Sequence, residues 1–301
     1  MGFISELFGY VLNALYNLIN NYGIAIIIFS VLLRIILIPI TIKQQKTMQK
    51  SNKMQEQMKQ IQIKYKNNPE KLNQETMELY KREGFNPFGG CLSGILQIVI
   101  ILAVFWLVSQ PLTYMKKVQN TEIYKEYQTK VEQESGTKST YKEIVIIDAV
   151  ESDYKEIETK LQNENIENKE ELENRKSQLE ELRINMELLG IDLSKVPTQS
   201  LNDWKVYIIP VLYVITSFIS IKITTMTQKP KNKNEEKTEQ EESMEQMNKS
   251  MSYMMPIMSI SIAAIAPLGL ALYWLVSNVL IILERLIINK IMSPKEENEN
   301  V

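Results

Sequence analysis

The chain has 301 residues, 34 of them basic and 36 acidic, for a net charge of −2. It contains no histidine and one cysteine, Cys91, which excludes histidine-based acid–base and nucleophile systems, most zinc sites and any intrachain disulfide. Neither common phosphate-cradling glycine loop occurs, and the balanced charge gives no support for nucleic-acid binding.

Hydrophobic residues make up 45% of the chain and gather in a few long runs, with the charges between them. Residues 1–21 place Ile4, Leu7, Phe8, Val11, Leu12, Leu15, Leu18 and Ile19 at helical spacing. They lack the basic region and cleavage site of a standard signal peptide. They predict an amphipathic helix lying at the outer membrane interface, with an uncleaved signal anchor as the alternative. Tyr22 to Ile42 is apolar apart from Arg34 and is long enough to span a bilayer. Residues 43–87 predict a helical hairpin. A charged helix over Lys43–Lys66 is followed by a turn at Asn67-Asn68-Pro69 and a second helix that stops near Gly84. Met48, Met54, Met58, Ile61 and Met77 give this hairpin a broken apolar face, suited to packing its two helices or to meeting varied partners.

Phe88 to Gln110 is the second span, ended by Pro111. Residues 111–203 form a long charged loop. Within it, Tyr154–Leu189 predicts one or two solvated helices of coiled-coil-like character, and the apolar run Ile144–Val150 a further piece. No catalytic constellation shows in this loop. Trp204–Met226 is the third span, Met251–Pro267 the fourth and Gly269–Ile291 the fifth. Residues 229–250 and 293–301, in the last loop and the tail, have a composition that predicts disorder. The expected fold is all-α: a polytopic membrane protein with five transmembrane helices, a cytoplasmic helical hairpin and an N-terminal interfacial helix.

Orientation follows from basic residues near the span ends. Residues 43–88 carry ten basic and five acidic residues, a net of +5, whereas residues 111–203 carry 13 basic and 20 acidic, a net of −7. The N-terminus is therefore expected outside and residues 43–88, 227–250 and the C-terminus in the cytoplasm.

A charge inside a span marks a candidate functional site. Arg34 lies ~13 Å from the inner end of its helix, and Gln97 lies at a matching depth on the next span. Thr216, Ser217, Ser220 and Lys222 on the third span, with Ser277, Asn278 and Glu284 on the fifth, supply further polar groups. Arg34 reads as the cationic wall of a hydrated groove or as half of an ion pair with Glu284. Gln97 reads as groove lining or as an interhelical hydrogen bond. Serine and threonine are weaker signals, because they often bond their own helix backbone. Cys91 reads as a small buried hydrophobe.

YGIAIIIFSVLLRIILIPITIKQQK (22–46), KYKNNPEKLNQETMELYKREGFNPFGGCLSGILQ (64–97), LLGIDLS (188–194), MMPIMS (254–259) and PLGLALYWLVSN (267–278) resemble the YidC/Oxa1/Alb3 family of membrane protein insertases, in its Gram-positive type. The resemblance covers nearly all of the chain except the middle of the outer loop. It implies a non-enzymatic insertase and chaperone that needs no nucleotide or other cofactor. Its groove opens to the cytoplasm and the lipid, with the family's groove arginine at Arg34 and its span-two glutamine at Gln97. The implied partners are nascent membrane proteins and lipids, with the Sec translocon, ribosome and targeting factors beside them. Where the family commonly carries glutamines, this chain has Ser217 to Lys222 and Glu284-Arg285, so Glu284 is a candidate to neutralise Arg34 in part. The acidic tail is unlike the basic ribosome-binding tails of some members. From the residues alone, a small-solute or ion transporter is the alternative, although the two halves of the chain show no repeat.

Overall fold

The computed structural model describes residues 2–84, 88–135, 141–162, 168–227, 250, 254 and 261–292. The chain opens with α1 (Gly2–Ile19) and then α2 (Tyr22–Lys64). Asn21 caps α2 by accepting the Ile24 amide at 3.0 Å. At 43 residues α2 is one helix through both the apolar run and the charged run after it. Composition changes at Lys43, but no glycine or proline follows before the end of α2, so nothing ends the helix there. Its length of roughly 65 Å is about twice the hydrocarbon thickness, so it projects well beyond a bilayer.

Asn68 accepts the Lys71 amide at 3.1 Å, and Pro69 occupies the first position of α3 (Pro69–Arg82). α3 turns back along α2. Arg82 donates to Gln57 at 3.1 Å, and the Tyr65 hydroxyl to Glu75 at 3.0 Å. α4 (Phe88–Ser109) follows, then a π-helical turn over Leu112–Lys116 closed by left-handed Lys117.

The loop after α4 is a packed subdomain. α5 (Glu122–Ser135), α6 (Lys142–Leu161) and α7 (Lys169–Leu182) bury Tyr127, Val131, Ile146, Ile147, Val150, Leu179 and Leu182. The expected apolar piece at Ile144–Val150 is the first part of α6 and not a separate element. α5 is a third helix that charge-rich composition concealed. A two-residue antiparallel pair, β1 (Glu187–Leu188) and β2 (Ile191–Asp192), closes the subdomain. Leu189 and Gly190 both have positive φ, as the tightest hairpin turn requires.

A 3-10 turn at Trp204–Tyr207 leads into α8 (Ile208–Thr227), and the last helix is α9 (Leu268–Met292). Among the described residues, three stretches are long and apolar enough to cross a membrane: Tyr22–Thr47, Trp204–Ile223 and Leu268–Ile288. The described apolar part of α4, Ile95–Ser109, is shorter. Most of the expected fourth span and, except for residue 250, both segments expected to be disordered lie outside the described residues, as do the side chains of Met48 and Cys91.

α9 packs between α2 and α8. The core joins Ala25, Ile26 and Phe29 of α2, Val104, Leu107 and Val108 of α4, and Leu270 to Tyr273 of α9. α1 packs on α4. Of the stripe expected from its sequence, Leu12 is buried while Leu7, Val11 and Leu18 are exposed, and the buried face is completed by Ser5, Gly9 and Tyr16. The Ser5 hydroxyl donates to the Ala103 carbonyl at 3.0 Å. Gly9 sits against the π-turn so closely that an added Cβ would lie 1.9 Å from the Tyr114 carbonyl oxygen. The outer faces carry Ile35 and Ile36 of α2, Ile95 and Ile98 of α4, Ile215 and Phe218 of α8, and Leu283 and Ile287 of α9, all exposed. An apolar surface on this scale belongs in lipid and not in water.

Candidate functional site

α9 brings together several buried and half-buried polar groups of the helical core. Asn278 and Arg285, two turns apart on one side of it, meet Ser217 and Ser220, one turn apart on α8. The Asn278 amide donates to Ser217 Oγ at 2.8 Å, and the Arg285 guanidinium to the Ser220 carbonyl at 3.5 Å. Glu284 faces α2 instead. Its Oε2 accepts from the Arg34 guanidinium at 3.3 Å, with only 15% of the Arg34 side chain and 7% of the Glu284 side chain exposed. The other carboxylate oxygen, Oε1, is buried and finds no hydrogen-bond partner among the described residues.

Ionised groups at this burial pay heavily in desolvation and persist only when paired. The pair forms from residues 250 positions apart because α2 and α9 pack side by side and bring Arg34 and Glu284 to one level. Of the two readings of Arg34, the ion pair is present in the structure. It does not exclude a role in a groove.

The remaining candidates divide. Thr216 donates to the carbonyls of Leu212 and Tyr213 on its own helix, at 3.0 and 2.9 Å, and so satisfies itself locally. Gln97 is half-buried on α4. Among the described residues, no hydrogen bond or ion pair joins it to Arg34. In the α2–α3 pair, Met54 is buried, Met58 half-buried and Met77 exposed. Met54 thus serves packing, while Met77 offers an outward apolar contact.

Sequence reasoning missed the groups that fasten the subdomain to the helical core. Glu143, in the first turn of α6, is 4% exposed. Its carboxylate accepts the Thr113 amide at 3.0 Å and the Thr113 hydroxyl as well. Burial pushes the Glu143 carboxyl above the usual carboxylate range, although the bonds from Thr113 oppose this. Residues 185–195 stitch the helix ends together. Asn185 accepts the Tyr22 amide through its carbonyl at 2.9 Å and donates its side-chain amide to Asn20 at 2.9 Å. Lys195 and Leu193 accept the first amides of α9, from Leu268 at 3.0 Å and Gly269 at 2.9 Å. An acidic residue opening an apolar run is the one local signal for Glu143. Apart from the Asn185 side-chain amide, the stitches are backbone contacts, which no residue type marks.

Among the described residues, no group of three or more His, Cys, Asp or Glu side chains is placed to hold a metal ion. The arrangement offers a line of paired polar groups inside a lipid-facing helical assembly.

Three relatives are each described as a membrane protein insertase YidC. The protein from Caldanaerobacter subterraneus subsp. tengcongensis is 39% identical over 108 residues, which is 36% of this chain and 52% of that protein. The one from Fusobacterium nucleatum is 40% identical over 102 residues, 34% of this chain and 50% of the relative. The one from Helicobacter pylori strain 26695 is 45% identical over 94 residues, 31% and 17% respectively. The match therefore spans about half the length of the first two relatives and less of the third. The family model described as 60Kd inner membrane protein matches residues 14–296. That range runs from within α1 past the end of α9, so the chain, an all-α membrane protein, belongs to the 60Kd inner membrane protein (YidC/Oxa1/Alb3) family.

Proposed function

We propose that this protein is a membrane insertase and chaperone, not an enzyme, which helps newly made proteins enter and fold in the cytoplasmic membrane. The observation that carries the reading is the polar line Arg34–Glu284, Asn278–Ser217 and Arg285–Ser220 inside a helical assembly that shows lipid an apolar outer face. The relatives named as insertases give the line its meaning.

In this reading, five spans hold the N-terminus outside and the C-terminus in the cytoplasm. Arg34, Gln97, Thr216, Ser217, Ser220, Asn278 and Glu284 line a hydrated groove open to the cytoplasm and to lipid. The groove receives the hydrophilic tail of an entering protein and so shortens the apolar barrier the tail crosses. The apolar helix of the substrate moves into lipid along α8 and α9, and burial of its apolar area drives release. The α2–α3 hairpin, with Met48, Met54, Met58 and Met77, makes the first cytoplasmic contact. A strain depleted of its own insertase tests this. Wild type should restore insertion of a small protein with a translocated tail. Failure of a well-expressed, membrane-integrated wild type would falsify the reading.

A further inference from the structure

We propose that Glu284 contacts the substrate. Its carboxylate takes hydrogen-bond donors of the entering polar segment and at the same time masks Arg34, so this chain favours neutral or lysine-bearing tails over purely acidic ones. The inference rests on the insertase reading above and assigns a specificity role to one residue within it.

Two features of the pair carry it. Oε2 of Glu284 is engaged by Arg34 through a single contact at 3.3 Å, while Oε1 is buried and without a partner among the described residues. A buried carboxylate oxygen with no donor is costly, and whatever brings it a donor recovers that cost. A backbone or side-chain amide, a hydroxyl or a lysine ammonium of an incoming segment can do so. The second feature concerns Arg34, which already has a carboxylate beside it. An acidic side chain can pair with Arg34 only by displacing Glu284 or by standing next to it, and two carboxylates in one buried site oppose each other. Arg285 is on the next position of α9 and reaches the Ser220 carbonyl on α8 at 3.5 Å, so its charge adds to the field at the pair without replacing Glu284 as the group in contact with Arg34.

The test uses full-length protein in the depleted strain and three versions of one single-span substrate. Their translocated tails carry aspartates, glutamines or lysines, and protease protection reads insertion. Glu284→Gln should raise the ratio of acidic-tail to lysine-tail insertion by roughly fivefold or more, the low end of couplings between two ligand groups. Glu284→Asp keeps the charge but retracts it by one methylene, and should shift the ratio the same way by less. It also decides the matter if Glu284→Gln fails to accumulate. A ratio equal to wild type in every variant that accumulates overturns the proposal. A wild type that accumulates in the membrane yet inserts none of the three tails overturns the insertase reading, and this inference with it.

Discussion

An arginine placed alone at the centre of a membrane helix costs roughly 2.5–3.5 kcal/mol on insertion scales. In this chain Arg34 meets Glu284, and the two charges share their desolvation. Removing one member of a buried pair typically costs about 3–5 kcal/mol because the other is left uncompensated, whereas removing both is far milder. Arg34→Ala should therefore lower the thermal midpoint of the detergent-purified protein more than Arg34→Ala with Glu284→Ala does. A double variant no more stable than the single one would show that the pair is not energetically coupled. Gly9 makes a sharper case, because its obstacle is backbone. Replacing a mid-helix glycine with alanine ordinarily gains ~0.5–1 kcal/mol. At Gly9 the new Cβ would overlap the Tyr114 carbonyl oxygen, whereas at Gly2 nothing lies within 4 Å. Gly9→Ala should destabilise by about 1–3 kcal/mol, as overpacking does. Gly2→Ala is the control, and its melting curve should stay with wild type. Equal melting of the two variants would mean that α1 does not seat on the π-turn.

The three helices of the subdomain are tied by ion pairs that cross between them. Arg175 of α7 holds Glu126 of α5, Lys130 of α5 meets Asp153 of α6 at 2.9 Å, and Arg183, just past α7, meets Glu151 of α6 at 2.7 Å. All three carboxyls sit below their ordinary range. For Glu126 the main cause is the hydrogen bond from Arg175. For Glu151 and Asp153 burial pushes upward, and the bonds from Arg183, and from Tyr127 and Lys130, outweigh it. A depressed carboxyl contributes stability above its unfolded pKa and loses it as pH falls through the folded one. Glu143 has the opposite sign: raised by burial, it contributes most below the ordinary carboxylate range and loses its contribution as pH rises through its raised value. Backbone exchange over residues 122–182, corrected for intrinsic rates, should therefore quicken below about pH 4, where the ion pairs are protonated. Glu143→Gln, which cannot ionise, should lose less protection than wild type between mildly acidic and neutral pH. Flat protection across the whole range would contradict both assignments. The same charges explain why this element was hard to read in the sequence. Glutamate, lysine and arginine at the seams of three helices dilute the apolar period, so Ile144–Val150 stands out while α5 does not. Asn68 before Pro69 is legible because cap and proline act locally.

At the scale of the whole molecule, the sequence makes the all-α membrane class and the family legible, since both rest on long apolar runs and contiguous motifs. The pairing of helices is less legible. Arg34 and Glu284 each stand out as charges in a span, but their meeting depends on α9 packing between α2 and α8. The stitches from Asn185, Leu193 and Lys195 to the starts of α2 and α9 are backbone contacts that no residue type announces. They matter for topology, because they fix the subdomain to the same ends of these two helices. α2 and α9 must then cross in the same direction, and the number of crossings between them must keep that parity. In the orientation proposed above, which the excess of net positive charge in 43–88 over that in 111–203 supports, the subdomain lies outside and the α2–α3 hairpin in the cytoplasm. With five spans, residues 227–250 also lie inside, and the chain returns outward through residues 251–267 before α9. In a Cys91→Ser background, an impermeant maleimide applied to intact cells should label Lys160→Cys and leave Lys71→Cys and Lys237→Cys unlabelled until the membrane is opened. Labelling of Lys71→Cys and Lys237→Cys in intact cells, with Lys160→Cys protected, would invert the orientation. Labelling of Lys237→Cys in intact cells with Lys71→Cys still protected would remove one crossing before residue 237 and one after it, leaving three spans and α2 and α9 still parallel, so the two positions together separate the five-span reading from a three-span one.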